Sequence, residues 1–107
     1  MNKLQNEIYN YLKLFDSVMD KGLYKKLNQY SIEQIDQALN ELIKQNKIQK
    51  FYKILCPNCD HPYFVVYDFN DLKQYSDFVE CKYCGEEIET EDLINCEFYH
   101  IWFKVIN

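Results

Sequence analysis

Two short stretches constrain this chain more than any others: Cys56-Pro57-Asn58-Cys59 and Cys81-Lys82-Tyr83-Cys84, with 21 residues between them. A C-x-x-C turn presents two thiolates to one side of an ion, and two such turns complete a tetrahedron of soft ligands. The separation lies just beyond the usual range for paired C-x-x-C sites, yet the pairing of two turns remains the strongest signal in the sequence. It leads us to expect one structural Zn²⁺ held by Cys56, Cys59, Cys81 and Cys84. Four sulfurs leave no open position for water, so the metal is not expected to be catalytic. A redox dithiol is the reading for one isolated C-x-x-C, but neither pair falls between the strand and helix of a βαβ unit. Pro57 fixes φ in the first turn. Gly85 can take the left-handed conformation that turns backbone N–H groups toward sulfur. His61 could replace a cysteine in the site, although a surface or supporting role fits it better. Cys96 is left over and reads as a small buried residue before the last strand.

The 107 residues suffice for one compact domain or two very small ones. Hydrophobic residues make up 48% and aromatics 17%, which excludes global disorder. The opening MNKLQNEIYNYLKLF has no uninterrupted apolar stretch, and no apolar run is long enough to span a membrane. A cytoplasmic location is therefore expected, and there five cysteines point to metal rather than disulfides. The net charge of −5 hides a division. Residues 1–55 hold nine Lys against six acids, and residues 56–107 hold three Lys against eleven acids. Such asymmetry suggests two surfaces with different work.

In the first half Leu4, Ile8, Leu12, Phe15 and Met19 recur at helical spacing, with Asn2 placed as N-cap and Gly22 where a terminating glycine would stand. GLYKKL reads as a short second helix turning Leu23 and Leu27 inward. The third helix has the clearest start: Ser31 and Gln34 form a capping box, and Tyr30 with Ile35 the matching hydrophobic staple. Ile32, Ile35, Ala38, Leu39 and Leu42 are the expected buried stripe. After Asn46 the period changes, and IQKFYKIL reads as a strand. Further strands are expected in YFVVYDF, SDFVE, EEIE and EFYHIWFKVI.

The order helix, short helix, turn, capped helix, strand, with Ile35–Ile48 as its most characteristic phrase, resembles winged-helix domains. The C-x-x-C pairs with their flanking strands resemble zinc ribbons. Together they resemble the architecture of archaeal transcription factor E, the alpha subunit of eukaryotic factor IIE, and small prokaryotic winged-helix zinc-ribbon regulators and defence-operon proteins. The fold class expected is α+β. A winged helix of three helices plus a β-wing would occupy residues 1–55. It would run into a small antiparallel β ribbon over residues 56–107, with the first knuckle at or near the tip of the wing.

The resemblance implies a non-enzymatic role with contacts to a larger protein or to DNA. Gln34 and Gln37 are candidate base readers. Lys44, Lys47, Lys50 and Lys53 are candidate phosphate contacts. Against DNA stand Glu33, Asp36 and Glu41 on the same helix, the absence of Arg, and a rear half made more negative by a Zn²⁺ with four thiolates. Partner contact is expected from the last strand, with Tyr99, Trp102 and Phe103 as candidates. Trp102 would share a face with Phe98, His100 and Lys104, and Tyr99, Ile101, Phe103 and Val105 would form the other. Two roles stay open: an accessory or adaptor subunit of a transcription, nucleic-acid-processing or antiviral defence complex, and a DNA-binding regulator. Asp68, Asp71, Asp77 and Glu80 cluster in sequence without anything to orient them, so an enzyme is not expected. Oligomeric state is not legible.

Overall fold

The computed structural model describes residues 1–68, 70, 71, 77–95 and 99–106. The architecture is α+β, with four helices and antiparallel strand pairs among the described residues. The chain divides into two units, residues 1–50 with 102–107 and residues 51–101. Two strands, Ile48–Leu55 and Tyr99–Val105, each run from one unit into the other.

The first unit is built on helices α1 (Lys3–Lys13), α2 (Asp20–Lys26) and α3 (Ile32–Lys44). The two expected N-caps operate. The Asn2 side chain accepts the Gln5 N–H at 2.8 Å. Ser31 Oγ accepts the Gln34 N–H at 3.1 Å, while Gln34 Oε1 accepts the Ser31 N–H at 2.9 Å. The box satisfies donors that the first turn of α3 would otherwise leave bare. The end of α3 is as well defined. Asn46 adopts φ 58°, the Asn46 N–H bonds to Ile43 O, and the Lys47 N–H bonds to Leu42 O. That pairing is a Schellman motif made by asparagine, the residue best able to substitute for glycine in the left-handed region.

Helix α1 ends nine residues short of Gly22. Leu14 and Phe15 are exposed, at 76% and 50%, rather than part of a continuing stripe. Val18 and Met19 instead form strand β1, paired antiparallel with the last strand, β6 (Tyr99–Val105), in the register Val18↔Phe103 and Met19↔Trp102. A β-branched valine gains more from a strand partner than from prolonging an already capped helix. Gly22 consequently lies inside α2 and terminates nothing.

The core of this unit is Ile8, Leu12, Val18, Leu23, Leu27, Ile35, Ala38, Leu39, Leu42, Ile48 and Phe103. Ile32, expected in that core, is 56% exposed. As the first residue of α3 it sits on the rim. Strand β2 (Ile48–Leu55) begins here, and the order within the unit is β1–β6–β2. The Tyr24 hydroxyl donates to Asp36 Oδ1 at 2.6 Å and ties α2 to α3.

The second unit holds the rest of β2 and strand β3 (Pro62–Val66), paired as Tyr52↔Val66, Lys53↔Val65 and Ile54↔Phe64, with an irregularity before Leu55↔Pro62. Strands β4 (Phe78–Glu80) and β5 (Glu87–Glu89) form a separate hairpin. A short helix α4 (Thr90–Asn95), which periodicity did not reveal, packs on β5. Ile54, Val66 and Leu93 form the core, with Tyr52, Val79, Ile88 and Tyr99 against it. The Tyr52 and Tyr99 rings meet edge to face at 5.5 Å. Cys96 and Phe98, for which burial and a strand face were expected, lie outside the described residues.

Two outcomes test this account. Ser31→Ala removes the cap and lowers stability by about 1 kcal/mol in urea unfolding. Burial first, then the bond to Asp36 and the charges of Asp36 and Asp20, hold the Tyr24 phenol above its usual range. A raised native pKa means that this contribution is whole below about pH 10, the value of an unfolded tyrosine, and is lost as pH rises beyond it. Thermal melts between pH 9 and pH 11 should show a steeper alkaline decline in the wild type than in Tyr24→Phe.

Candidate metal centre

The four cysteines of the two C-x-x-C turns come together. Their sulfurs all lie within 4.8 Å of one another. Across the turns, Cys56 Sγ is 3.6 Å from Cys84 Sγ, and Cys59 Sγ is 3.5 Å from Cys81 Sγ. Sulfurs at the corners of a tetrahedron around Zn²⁺, with metal–sulfur bonds of about 2.3 Å, stand about 3.8 Å apart. A disulfide needs about 2.05 Å, far shorter than either of these separations. The donor set therefore fits a tetrahedral, thiophilic divalent ion.

The local backbone explains why the sulfurs converge. In the first knuckle the Asp60 N–H bonds to Cys56 O, and the Cys56 N–H bonds to His61 O. In the second the Gly85 N–H bonds to Cys81 O, and the Cys81 N–H bonds to Glu86 O. The two turns are thus repeats of one structure. Each needs a left-handed residue right after its second cysteine, and these are Asp60 at φ 62° and Gly85 at φ 76°. Gly85 was legible as such a position; Asp60, its counterpart, was not. The first knuckle joins β2 to β3, and the second joins β4 to β5. Each cysteine pair therefore stands at the end of a hairpin.

Cys56 and Cys81 are buried, Cys59 is partly covered and Cys84 is exposed. The His61 backbone N–H favours a Cys59 thiolate. Desolvation and the three neighbouring sulfurs outweigh it and push the thiol up to about 12. Four thiols this close resist losing all their protons until a cation offsets the mutual repulsion. His61 contributes no ligand to the cluster. Its ring stacks instead on that of Tyr83, with centroids 4.2 Å apart and planes 17° from parallel.

The other candidate residues are not gathered into one site. On α3, Gln37 and Lys44 are exposed, as is Lys47 beyond it, whereas Lys50 and Lys53 are half-buried in β2. Gln34 is exposed, but its side-chain oxygen is committed to the cap. Tyr99 and Trp102 are half-buried. Phe103 is 4% exposed because its ring completes the core of the first unit, so it presents no surface to a partner. On the β4–β5 hairpin, Val79 and Ile88 face inward. Phe78, Glu80, Glu87 and Glu89 face outward, with Glu80 directly opposite Glu87. Among the described residues no helix is long and apolar enough to cross a membrane.

Comparison with protein-family models, with curated proteins and with solved structures finds no match.

The left-handed position gives a direct test. A Cβ on Gly85 would meet nothing nearer than Glu80 Oε1 at 4.0 Å, so only the backbone conformation resists substitution. Gly85→Ala should cost about 1–2 kcal/mol. The metal-loaded chain would then yield to a competing chelator at a correspondingly lower concentration. Lys82→Ala, in the same turn, should change the titration by less than about 0.5 kcal/mol.

Proposed function

We propose that this chain is a non-enzymatic, zinc-stabilised interaction module. In this reading a winged helix continues into a small antiparallel ribbon closed by one structural Zn²⁺. The module serves as an adaptor subunit of a transcription, nucleic-acid-processing or defence complex. The observation that carries the reading is the closed set of four sulfurs at the ends of two hairpins. Such a site supplies folding free energy rather than a vacant coordination position. The order of α1, α2, the capped α3 and β2 supports the winged-helix part.

Charge supports the interaction role. Residues 51–101 carry eleven acids against three Lys, a formal −8 that a Zn²⁺ with four thiolates extends to about −10. The outer face of the β4–β5 hairpin presents three of these carboxylates beside the half-exposed Phe78. Like charges directly opposite on a strand pair destabilise it, and a basic partner relieves that repulsion while steering association. The same charge repels nucleic acid.

DNA contact is the second reading. The exposed Gln37, Lys44 and Lys47 favour it, since amides read adenine and lysines neutralise phosphate. Asp36, Glu33 and Glu41 oppose it on the same helix.

Affinity purification of the zinc-loaded chain from its native cell, at moderate salt, separates the two. The adaptor reading expects a stoichiometric larger protein that is lost with Glu80→Lys/Glu87→Lys. It also expects duplex DNA to shift only weakly. Tight, steeply salt-dependent DNA binding abolished by Gln37→Ala/Lys44→Glu would establish the regulator reading instead.

A further inference from the structure

The two knuckles are joined by more than their sulfurs. His61 closes the first knuckle and Tyr83 lies within the second, and their rings stack nearly parallel at 4.2 Å. Both side chains are exposed. Two exposed rings held face to face must overcome the entropy of ordering both, so the contact has to contribute attraction of its own. The repeat of the two turns shows that the contact is one-sided. Tyr83 occupies the place in its turn that Asn58 occupies in the first, and His61 the place that Glu86 occupies in the second. The rings stand on these two positions, while the equivalent ones, Asn58 and Glu86, carry an amide and a carboxylate. The stacked rings adjoin Cys84, the one exposed cysteine of the four. That sulfur is the natural first point of attack by a competing ligand, and Tyr83 immediately precedes it.

We propose that His61 and Tyr83 form a clasp between the knuckles that holds the sulfur cluster closed and sets how fast its ion is exchanged. This rests on the zinc-module reading above. The rings are positioning groups: neither ligates the ion. With the clasp formed, detachment of Cys84 leaves the second knuckle beside the first, and the sulfur rebinds before a competitor completes the extraction. Without it, the same detachment frees the second knuckle to swing away.

The test uses the full chain loaded with Co²⁺, whose visible ligand-field bands and thiolate charge-transfer absorption report a four-sulfur tetrahedral site. Release of the ion into excess EDTA is followed at those bands. Tyr83→Ala and His61→Ala should each speed release by about 2- to 10-fold, the worth of one aromatic pair. The double variant should be no faster than either single one, because both remove the same contact. Tyr83→Phe keeps the ring and should release at the wild-type rate, with the same spectrum. Wild-type rates in both alanine variants, with the four-sulfur spectrum intact, overturn the clasp alone. Rates that multiply in the double variant also overturn it. A wild-type chain that takes up no Co²⁺ overturns the zinc reading, and the clasp with it.

Discussion

The convergence of four sulfurs is the constraint on which the second unit depends. Among the described residues its apolar core gathers Ile54, Val66 and Leu93, with half-buried aromatic and aliphatic neighbours. A unit of this size has little apolar surface to set against the entropy of ordering some fifty residues. The surplus of carboxylates works against compaction as well. Cys56 and Cys81 are buried as deeply as the aliphatic core residues. The cluster is thus part of the interior, and an ion there would cross-link two hairpins that otherwise meet, among the described residues, through the shared apolar core and the ring stack.

The first unit rests on different physics. Helices α1 and α3 begin with side-chain caps and end with backbone ones, and the core is aliphatic apart from Phe103. Asn46 and Asp60 take left-handed conformations that glycine would adopt more easily. The chain has only two glycines, and one of them lies within α2. Short polar side chains therefore make the turns that link helix to strand and strand to strand.

Local signals were legible where they were complete within a few residues. The capping box at Ser31 and Gln34, the cap at Asn2, the strand Ile48–Leu55 and the four metal-directed cysteines all follow from short-range chemistry. The failures share one cause. Phe15 and Met19 continue the helical period of α1, but Val18 and Met19 pair with residues more than eighty positions away. No local period reports such a partner. Phe103 looked like a surface aromatic for the same reason, since its burial depends on that distant pairing. In β2 the buried residues Ile48, Phe51 and Ile54 fall three apart, so strict alternation was never available to be read. Helix α4 is six residues long, too short for periodicity to register. The Tyr83–His61 contact requires the two turns to be brought together first.

The pairing of Val18 with Phe103 has a consequence for how the chain is made. A ribosome delivers α1, α2 and α3 early, yet the strand that completes their sheet is translated after the whole of the acidic segment. Until then Val18 and Met19 have no neighbour to bond with, and the helical unit emerges with an open edge. Contacts so distant in sequence slow folding, and an unpaired edge invites association with other chains. The nascent protein is therefore open to such association between the synthesis of α3 and the emergence of β6.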